Sequence, residues 1–216
     1  MQIDVWSDLV CPWCYIGKRR LERALEEFPH RGEVEVVHRA FQLNPAMPKN
    51  ATKDRGTHLM AKYGWSESQL RQIDAQMTRT AAQDGLEYQL AGTVTGNTFD
   101  GHQLLHLAKA RGLQDAVLER LYRAYFTEQR SLFDRESLVA LVSDAGLDAD
   151  EARRALEGDR YSNAVTADLQ EARVLGISGV PFFVLDQRYG VSGAQAVSVF
   201  ADALKQAWNT RTPLHA

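Results

Sequence analysis

Two cysteines separated by two residues are the part of this sequence best suited to chemistry. They stand in Cys11-Pro12-Trp13-Cys14 and are the only cysteines among the 216 residues. A thiolate is a good nucleophile and metal ligand, and a second thiol nearby can displace a substrate held as a mixed disulfide. The spacing therefore predicts thiol–disulfide exchange, in which Cys11 attacks and Cys14 resolves. Two structural or metal-binding cysteines are the alternative interpretation.

A strand and a helix are expected to hold these cysteines at their junction. Residues 3–7 are short and mostly apolar, which favours a strand, and residues 16–28 carry apolar side chains at helical spacing. Cys11 then lies at or near the helix N-terminus, where free backbone N–H groups and the helix dipole favour a thiolate. Pro12 suits the first helical turn because it has no N–H to leave unpaired. We therefore expect Cys11 to be the more reactive and more exposed thiol, and Cys14 to be nearly buried.

The chain changes character after a second predicted strand. Residues 34–41 are rich in β-branched side chains, so they complete a β-α-β unit whose two strands should be parallel. Residues 42–48 contain two prolines and an asparagine and predict a loop at a domain boundary. From residue 52 to about residue 157 helical patterns recur and we predict no strand. Cap signals are Ser66 with Gln69, Asp148 with Glu151, and Asp134.

The C-terminal part returns to mixed structure. Residues 161–175 predict a helix that Gly176 stops, and residues 182–185 predict an apolar strand after Pro181. Residues 188–192 can form its hairpin partner, and residues 194–208 predict a closing helix.

This order gives the predicted architecture: an α/β thioredoxin fold interrupted by an all-helical insertion domain. The thioredoxin-like domain is discontinuous and comprises residues 1–45 and 160–216. The insertion domain comprises residues 46–159.

The composition excludes several classes of function. Hydrophobic residues at 44% and charged residues at 25% are ordinary globular values. A net charge of −3 gives no reason to expect nucleic acid or an anionic membrane surface as a partner. The longest apolar run, residues 180–185, is too short to span a bilayer. Met1-Gln2 leads directly into the first predicted strand without a secretory signal. We therefore expect a cytoplasmic protein with no nucleic-acid or membrane partner.

Several stretches resemble the FrnE group of DsbA-like thioredoxin-fold proteins, and together they cover nearly the whole chain. They are residues 7–18, 41–45, 97–102, 179–183 and 191–195. The resemblance implies a disulfide oxidoreductase that acts on thiol or disulfide substrates, either proteins or small molecules. It also implies a cis peptide bond before Pro181, and Pro12, Trp13 and Val180 as supports of the active site. Val180 is expected to pair with an extended substrate as an added strand would.

The resemblance extends to enzymes that use glutathione. In the related kappa-class glutathione transferases and 2-hydroxychromene-2-carboxylate isomerases, a serine takes the place of Cys11. The alternative function is therefore a glutathione-dependent isomerase or transferase acting on a small organic substrate. We expect no tightly bound cofactor, with glutathione as an optional co-substrate, and a homodimer is left open. Residues that could line a substrate or glutathione cleft are Asn44, Asn97, His102, Ser192 and Gln195.

Two departures from related redox proteins affect the proton chemistry. DsbA carries a histidine between its cysteines, where this chain has Pro12-Trp13. Thioredoxins place a buried carboxylate six residues before the first cysteine, where this chain has Val5. Asp4 and Asp8 lie close in sequence, but the sequence does not show where they point, so the acceptor for the proton of the second thiol is left open.

Two further patterns were weighed against simpler interpretations. His102 and His106 share a helix face and could join the cysteines in a zinc site. Finger-type sites, however, place only roughly 12–15 residues between their halves, so we expect no metal, with His102 facing the cysteines across the cleft. The basic residues 18–20 predict a solvated helix face, with attraction of acidic substrates as the alternative.

Overall fold

A mixed four-stranded sheet forms the centre of the fold. The computed structural model describes residues 1–49 and 51–211, and within them the strand order is β2-β1-β5-β6. β1 pairs in parallel with β2, while β5 is antiparallel to both β1 and β6. The strands are β1 (Gln2–Ser7), β2 (Glu35–Ala40), β5 (Phe182–Leu185) and β6 (Tyr189–Ser192).

Alternation along β1 directs side chains into two separate cores. Ile3 and Val5 pack with apolar residues of α1 (Pro12–Glu26) and α9 (Val197–Thr210), which cover one face of the sheet. Trp6 points to the opposite face, where its indole N–H donates to the Asp168 carbonyl at 3.0 Å. The sheet therefore lies between the α1–α9 layer and the helices that follow β2.

Most of the helices between β2 and β5 pack around a large apolar core that also includes both cysteines. The predicted caps are confirmed: Ser66 and Gln69 form a reciprocal capping box, and Asp134 and Asp148 each accept a backbone N–H. The helices are α2 (Arg55–Tyr63), α3 (Glu67–Gln83), α4 (Phe99–Ala110), α5 (Gln114–Phe126), α6 (Arg135–Asp144), α7 (Ala149–Glu157) and α8 (Ser162–Val174).

The prediction that residues 52–157 contain no strand is wrong. β3 (Thr52–Asp54) and β4 (Val94–Gly96) pair antiparallel as a separate two-stranded ribbon. Three residues are too few to show a period-2 pattern, and the partner strand lies far away in sequence, so local composition carried no signal. The ribbon does not join the central sheet.

The α/β class with its helical interruption is confirmed. The boundaries at residues 45 and 159 stay a prediction, since α8 packs both on β2 and on α4. Two parts of the predicted domains, Asn50 and residues 212–216, lie outside the described residues. No helix in the described part of the chain is long and apolar enough to cross a membrane.

Candidate active site

The two cysteines lie where the short loop after β1 enters α1. Cys11 is the N-cap residue, with extended backbone angles, and Pro12 occupies the first helical position. The Cys11 N–H donates to the Asp8 carbonyl at 3.1 Å, and the Cys14 N–H donates to the Cys11 carbonyl at 3.0 Å. Cys14 therefore sits in the first turn, and the predicted position of the pair at the helix N-terminus is confirmed.

Both thiols are buried: Cys14 is buried as predicted, and the greater exposure predicted for Cys11 amounts to very little. Cys11 is 4% exposed and Cys14 is 2% exposed. The loop before β5 covers the pair: Cys11 Sγ lies 3.5 Å from the Val180 carbonyl oxygen, to which the thiol can donate. The Val180–Pro181 peptide bond is cis, as the resemblance implied. Local sequence gave no indication of this cover, because the covering loop is distant in the chain.

The two sulfurs differ in their surroundings. Burial is the largest cause that raises the pKa of the Cys14 thiol, and the hydrogen bond and charge of Cys11 add to it. Cys11, in contrast, forms part of the wall of a cavity that Cys14 does not reach. This asymmetry agrees with Cys11 as the attacking thiol.

The cavity has a volume of about 440 Å³ and lies between the cysteine loop and the α2–α3 pair. Trp13 lines it and is 42% exposed, and Tyr63 stacks on Trp65 with ring centroids 4.6 Å apart on the opposite side. The lining residues divide into a cysteine-side wall of Val10, Cys11, Pro12, Trp13, Ser178, Gly179 and Val180, and a facing wall that includes His58, Leu59, Lys62, Tyr63, Trp65, Ile73 and Met77.

The polar groups of the cavity are few. Arg55 is held by Asp74 through two hydrogen bonds of 3.0 and 2.7 Å, so its charge is balanced. Lys62 donates to the Asn44 side chain at 3.0 Å. The pKa of His58 is lowered by burial and by the charge of Lys62, which favours its neutral form at pH 7. No carboxylate of the described residues pairs with Lys62, so its positive charge lies unpaired beside a mainly apolar wall.

A layer of three tyrosines, Tyr15, Tyr88 and Tyr122, lies at the first turn of α1. The Tyr88 hydroxyl donates to the Pro12 carbonyl at 2.7 Å, and Tyr15 stacks on Tyr122 with centroids 4.9 Å apart. Burial is the main cause that raises the pKa of both Tyr88 and Tyr122, so their hydroxyls keep their protons. The layer fixes the first turn of α1 without adding a charge.

Of the five predicted cleft residues, only Asn44 lines the cavity. Asn97 instead accepts the N–H of Phe99 and donates to the Met47 carbonyl, so it shapes the start of α4. The Gln195 side-chain amide donates to the Ser192 backbone carbonyl on the exposed turn after β6. None of these three residues lines the cavity.

The predicted position of His102 in the cleft is also wrong. Its ring is 1% exposed, and Nε2 lies 2.9 Å from the Phe41 carbonyl and 3.5 Å from Asp8 Oδ1. His106 bonds to Asp168 at 2.9 Å. Both histidines therefore stabilise the contact of α4 with its neighbours.

The basic residues 18–20 form neither a solvated face nor a free anion site. Lys18 is buried against α5, where it bonds to Glu22 and Glu119 and lies 3.0 Å from Asp115. Arg19 and Arg20 are also paired, with Glu119 and Asp84 respectively.

Sequence reasoning missed the wall supplied by α2 and α3. His58, Lys62, Trp65 and Met77 line the cavity, yet their pattern is that of ordinary amphipathic helices. The exposure of Tyr63 next to Trp65 is visible only in the structure, so the sequence carried no signal for this wall.

A cysteine pair at a helix N-terminus, covered by a proline loop on a four-stranded mixed sheet, defines the thioredoxin-fold class of redox proteins. The profile of the DsbA-like thioredoxin domain matches residues 2–205, and the chain belongs to that family.

Three related proteins show how far the similarity extends. The probable DsbA oxidoreductase SCO1869 from Streptomyces coelicolor is 51% identical, with a TM-score of 0.94 over 100% of this chain and 93% of its own. Protein YwbO from Bacillus subtilis is 26% identical over 94% of this chain and 96% of its own length. A 2-hydroxychromene-2-carboxylate isomerase shares the fold, with a TM-score of 0.71 and 18% identity over 100% of both chains.

Proposed function

We propose that the protein is a thiol–disulfide oxidoreductase in which Cys11 is the nucleophile and Cys14 is the resolving thiol. The observation that carries this proposal is the position of Cys11, at the N-terminus of α1 and in the wall of the 440 Å³ cavity. Cys14 follows one turn later and does not line that cavity. Membership of the DsbA-like family supports the same chemistry.

The reaction exchanges two electrons between the protein and its substrate. The Cys11 thiolate attacks one sulfur of a substrate disulfide, the substrate S–S bond breaks, and the first substrate thiolate leaves. The Cys14 thiolate then attacks Cys11 Sγ and releases the second substrate thiolate. The protein dithiol becomes a disulfide as the substrate disulfide becomes two thiols, and the reverse sequence oxidises a substrate.

The surroundings of Cys11 suit an extended or small substrate. Cys11 is the N-cap residue of α1, and the helix dipole favours negative charge at that end. The Val180 backbone beside Cys11 Sγ supports pairing with an extended chain, as by an added strand. Trp13 offers an exposed aromatic face for contact with the substrate. Pro12 and Pro181 hold the two loops that meet at the sulfur.

The cavity also supports small substrates, because its volume lies in the range of small-molecule sites, roughly 300–1,000 Å³. We propose glutathione as a co-substrate, with Asn44 and Lys62 as the polar groups available to it. Neither side chain is expected to hold it tightly, since Lys62 is exposed.

The second candidate is a glutathione-dependent isomerase or transferase. The observation that favours it is the enclosed Cys11, which only a small molecule or a thin chain can reach in this conformation. The structural similarity to the isomerase shows the common fold. This candidate requires only Cys11, whereas thiol–disulfide exchange requires Cys14 as well.

Single replacements of the two cysteines separate these candidates. In the oxidoreductase, Cys11→Ser abolishes insulin reduction, and Cys14→Ser accumulates a covalent Cys11–substrate adduct that mass spectrometry detects. The reduction potential of the wild-type pair, against glutathione buffers, then shows whether it favours reduction or oxidation.

Each cysteine variant serves as the control for the other, because both replace one buried sulfur by oxygen. Full insulin reduction by Cys14→Ser would contradict the proposed division of roles. Turnover of a glutathione conjugate that survives Cys14→Ser, together with no insulin reduction by the wild type, would favour the isomerase or transferase.

A further inference from the structure

Resolution by Cys14 requires its thiol to lose a proton inside the protein. Cys14 is 2% exposed and does not line the cavity. Burial, followed by the hydrogen bond and charge of Cys11, raises the pKa of this thiol. Because a thiol does not attack a disulfide until it becomes a thiolate, a nearby group that takes the proton would set the rate of resolution.

Residues before the cysteines on β1 do not offer that group. Val5 is a buried apolar residue that packs under α1. Asp4 is buried but committed elsewhere: it accepts a 2.7 Å hydrogen bond from Arg39 and two hydrogen bonds from Gln2. A carboxylate held by an arginine on the sheet is a poor acceptor for a thiol proton in α1.

Asp8 lies next to the cysteines and is 1% exposed. Its carbonyl accepts the Cys11 N–H at 3.1 Å. Its backbone N–H lies close enough to Cys14 to lower the pKa of that thiol, although burial and Cys11 raise it more. Its carboxylate lies in the same buried region, where its charge acts on Cys14.

The two carboxylate oxygens of Asp8 differ in how they are bonded. Oδ2 accepts the Leu43 N–H at 2.7 Å, which fixes the orientation of the group. Oδ1 has no hydrogen-bond partner although it is fully buried. His102 Nε2 is 3.5 Å away, but its proton is directed at the Phe41 carbonyl, which can only accept. A buried carboxylate oxygen without a partner is costly, and binding a proton removes that cost.

No cation neutralises Asp8 from the elements packed against it in the described part of the chain. The ionisable groups that face it are thiols, phenols and one imidazole. They are Cys11 and Cys14 of α1, His102 of α4, and Tyr122 and Tyr125 of α5.

We infer that Asp8 is the proton acceptor for Cys14 during resolution, an inference that rests on the proposed dithiol chemistry. The Asp8 carboxylate takes the proton of the Cys14 thiol and becomes a carboxylic acid. The Cys14 thiolate attacks Cys11 Sγ in the mixed disulfide, the bond between Cys11 and the substrate breaks, and the substrate leaves as a thiolate. The proton then passes from Asp8 to the solvent.

Dithiodipyridine, a neutral disulfide, separates the two steps because each releases one coloured thiopyridone. One equivalent is mixed with reduced protein, and stopped-flow absorbance follows attack by Cys11 and then resolution by Cys14. Asp8→Asn keeps an oxygen that can accept the Leu43 N–H but removes the carboxylate that would take the proton of Cys14. We expect an unchanged first release and a second release about 100-fold slower at pH 7, the low end for loss of a general base. The difference should disappear as the pH rises and solvent deprotonates Cys14.

Asp4→Asn is the matched control, since it removes a buried carboxylate from the same strand–loop region. Its two phases should match those of the wild type. An Asp8→Asn second phase equal to that of the wild type at every pH overturns the inference, and so does equal slowing of both phases. A wild type that releases no second thiopyridone contradicts the proposed function itself, a separate outcome.

A measurement on the unaltered protein keeps the inference testable if Asp8→Asn does not fold. Carbon-13 NMR of labelled aspartate carboxyls would follow Asp8 against pH in the reduced and oxidised states. We expect the Asp8 carboxyl signal to respond to deprotonation of the Cys14 thiol in the reduced state and to lose that response in the oxidised state, where Cys14 has no proton. The same response in both states would overturn the inference.

Discussion

Replacing Lys18 by methionine tests the ion-pair cluster that joins α1 to α5. The ammonium group is buried within hydrogen-bond reach of Glu22, Asp115 and Glu119, one of them on its own helix and two on α5. Methionine keeps most of the stem and removes the charge. The variant therefore leaves three carboxylates close together without their common cation.

The expected loss of stability follows from how exposed the partners are. Removing one member of a buried ion pair costs roughly 3–5 kcal/mol. Here Lys18 is buried, but Asp115 is 69% exposed and the two glutamates are about one-third exposed, so water takes over part of their solvation. We therefore expect a loss of about 2–3 kcal/mol, or a melting temperature lower by roughly 5–10 °C for a chain of this size.

The cost should depend on pH in a defined direction. A hydrogen bond from His38 and the charge of Lys18 lower the pKa of Asp115. Burial would raise the pKa of Glu119, but Lys18 and the Tyr15 hydroxyl outweigh it and lower that pKa. Groups with a lowered folded-state pKa stabilise the fold above their unfolded values of about 4 and lose that contribution as the pH falls. The difference between wild type and Lys18→Met should therefore be full at pH 7 and shrink below about pH 4.

Urea unfolding at pH 7 and at pH 3.5, roughly half a unit below the unfolded value, measures both quantities. Lys205→Met is the control, since Lys205 is an exposed lysine of α9, and it should leave the unfolding free energy nearly unchanged. A Lys18→Met variant as stable as the control at pH 7 would refute the reasoning. A cost that grows on acidification would refute it as well.

Two further substitutions test packing at and behind the site. A Cβ on Gly17 would lie 2.9 Å from the Pro181 ring, so Gly17→Ala should cost about 1–2 kcal/mol by overpacking despite the helical preference of alanine and should slow the Cys11 step. Chemical denaturation and thiopyridone release check this, with Gly32→Ala, which meets no atom within 4 Å, as control. Asp168→Asn should cost about 3 kcal/mol at neutral pH, because this buried carboxylate accepts from the β2 backbone and from His106. Burial would raise its pKa but these partners lower it, so thermal melts should show the cost fading below about pH 4; a constant cost down to pH 3 would contradict this.

The sequence was sufficient for features set by local pattern. The junction at Cys11, the parallel β1–β2 pair and the β5–β6 hairpin follow from alternation, helical spacing and proline, and the structure contains each of them. The capping box at Ser66 could also be predicted, because its two partners lie within one helical turn.

Features that depend on contacts between residues distant in the chain could not be predicted from the sequence. The burial of Cys11 depends on a loop near residue 180, and the pairing of Lys18 depends on α5. Asn97 and His102 were assigned to the cleft by resemblance, whereas hydrogen bonds to residues far away turn both inward. A single sequence shows residue types at each position, but not which distant backbone groups need partners.

The β3–β4 ribbon has a consequence for how specificity can evolve in this fold. It brings together the two ends of the segment between β3 and β4, which contains α2 and α3 and is called here the α2–α3 segment. Just beyond the ribbon, the Arg55 N–H donates to the Thr93 carbonyl at 3.0 Å. Because the two ends of the α2–α3 segment lie side by side, its length and sequence can change without moving either end. The α2–α3 segment supplies the cavity wall that faces Cys11. Relatives could therefore replace this segment and bind different substrates while keeping the same cysteine pair.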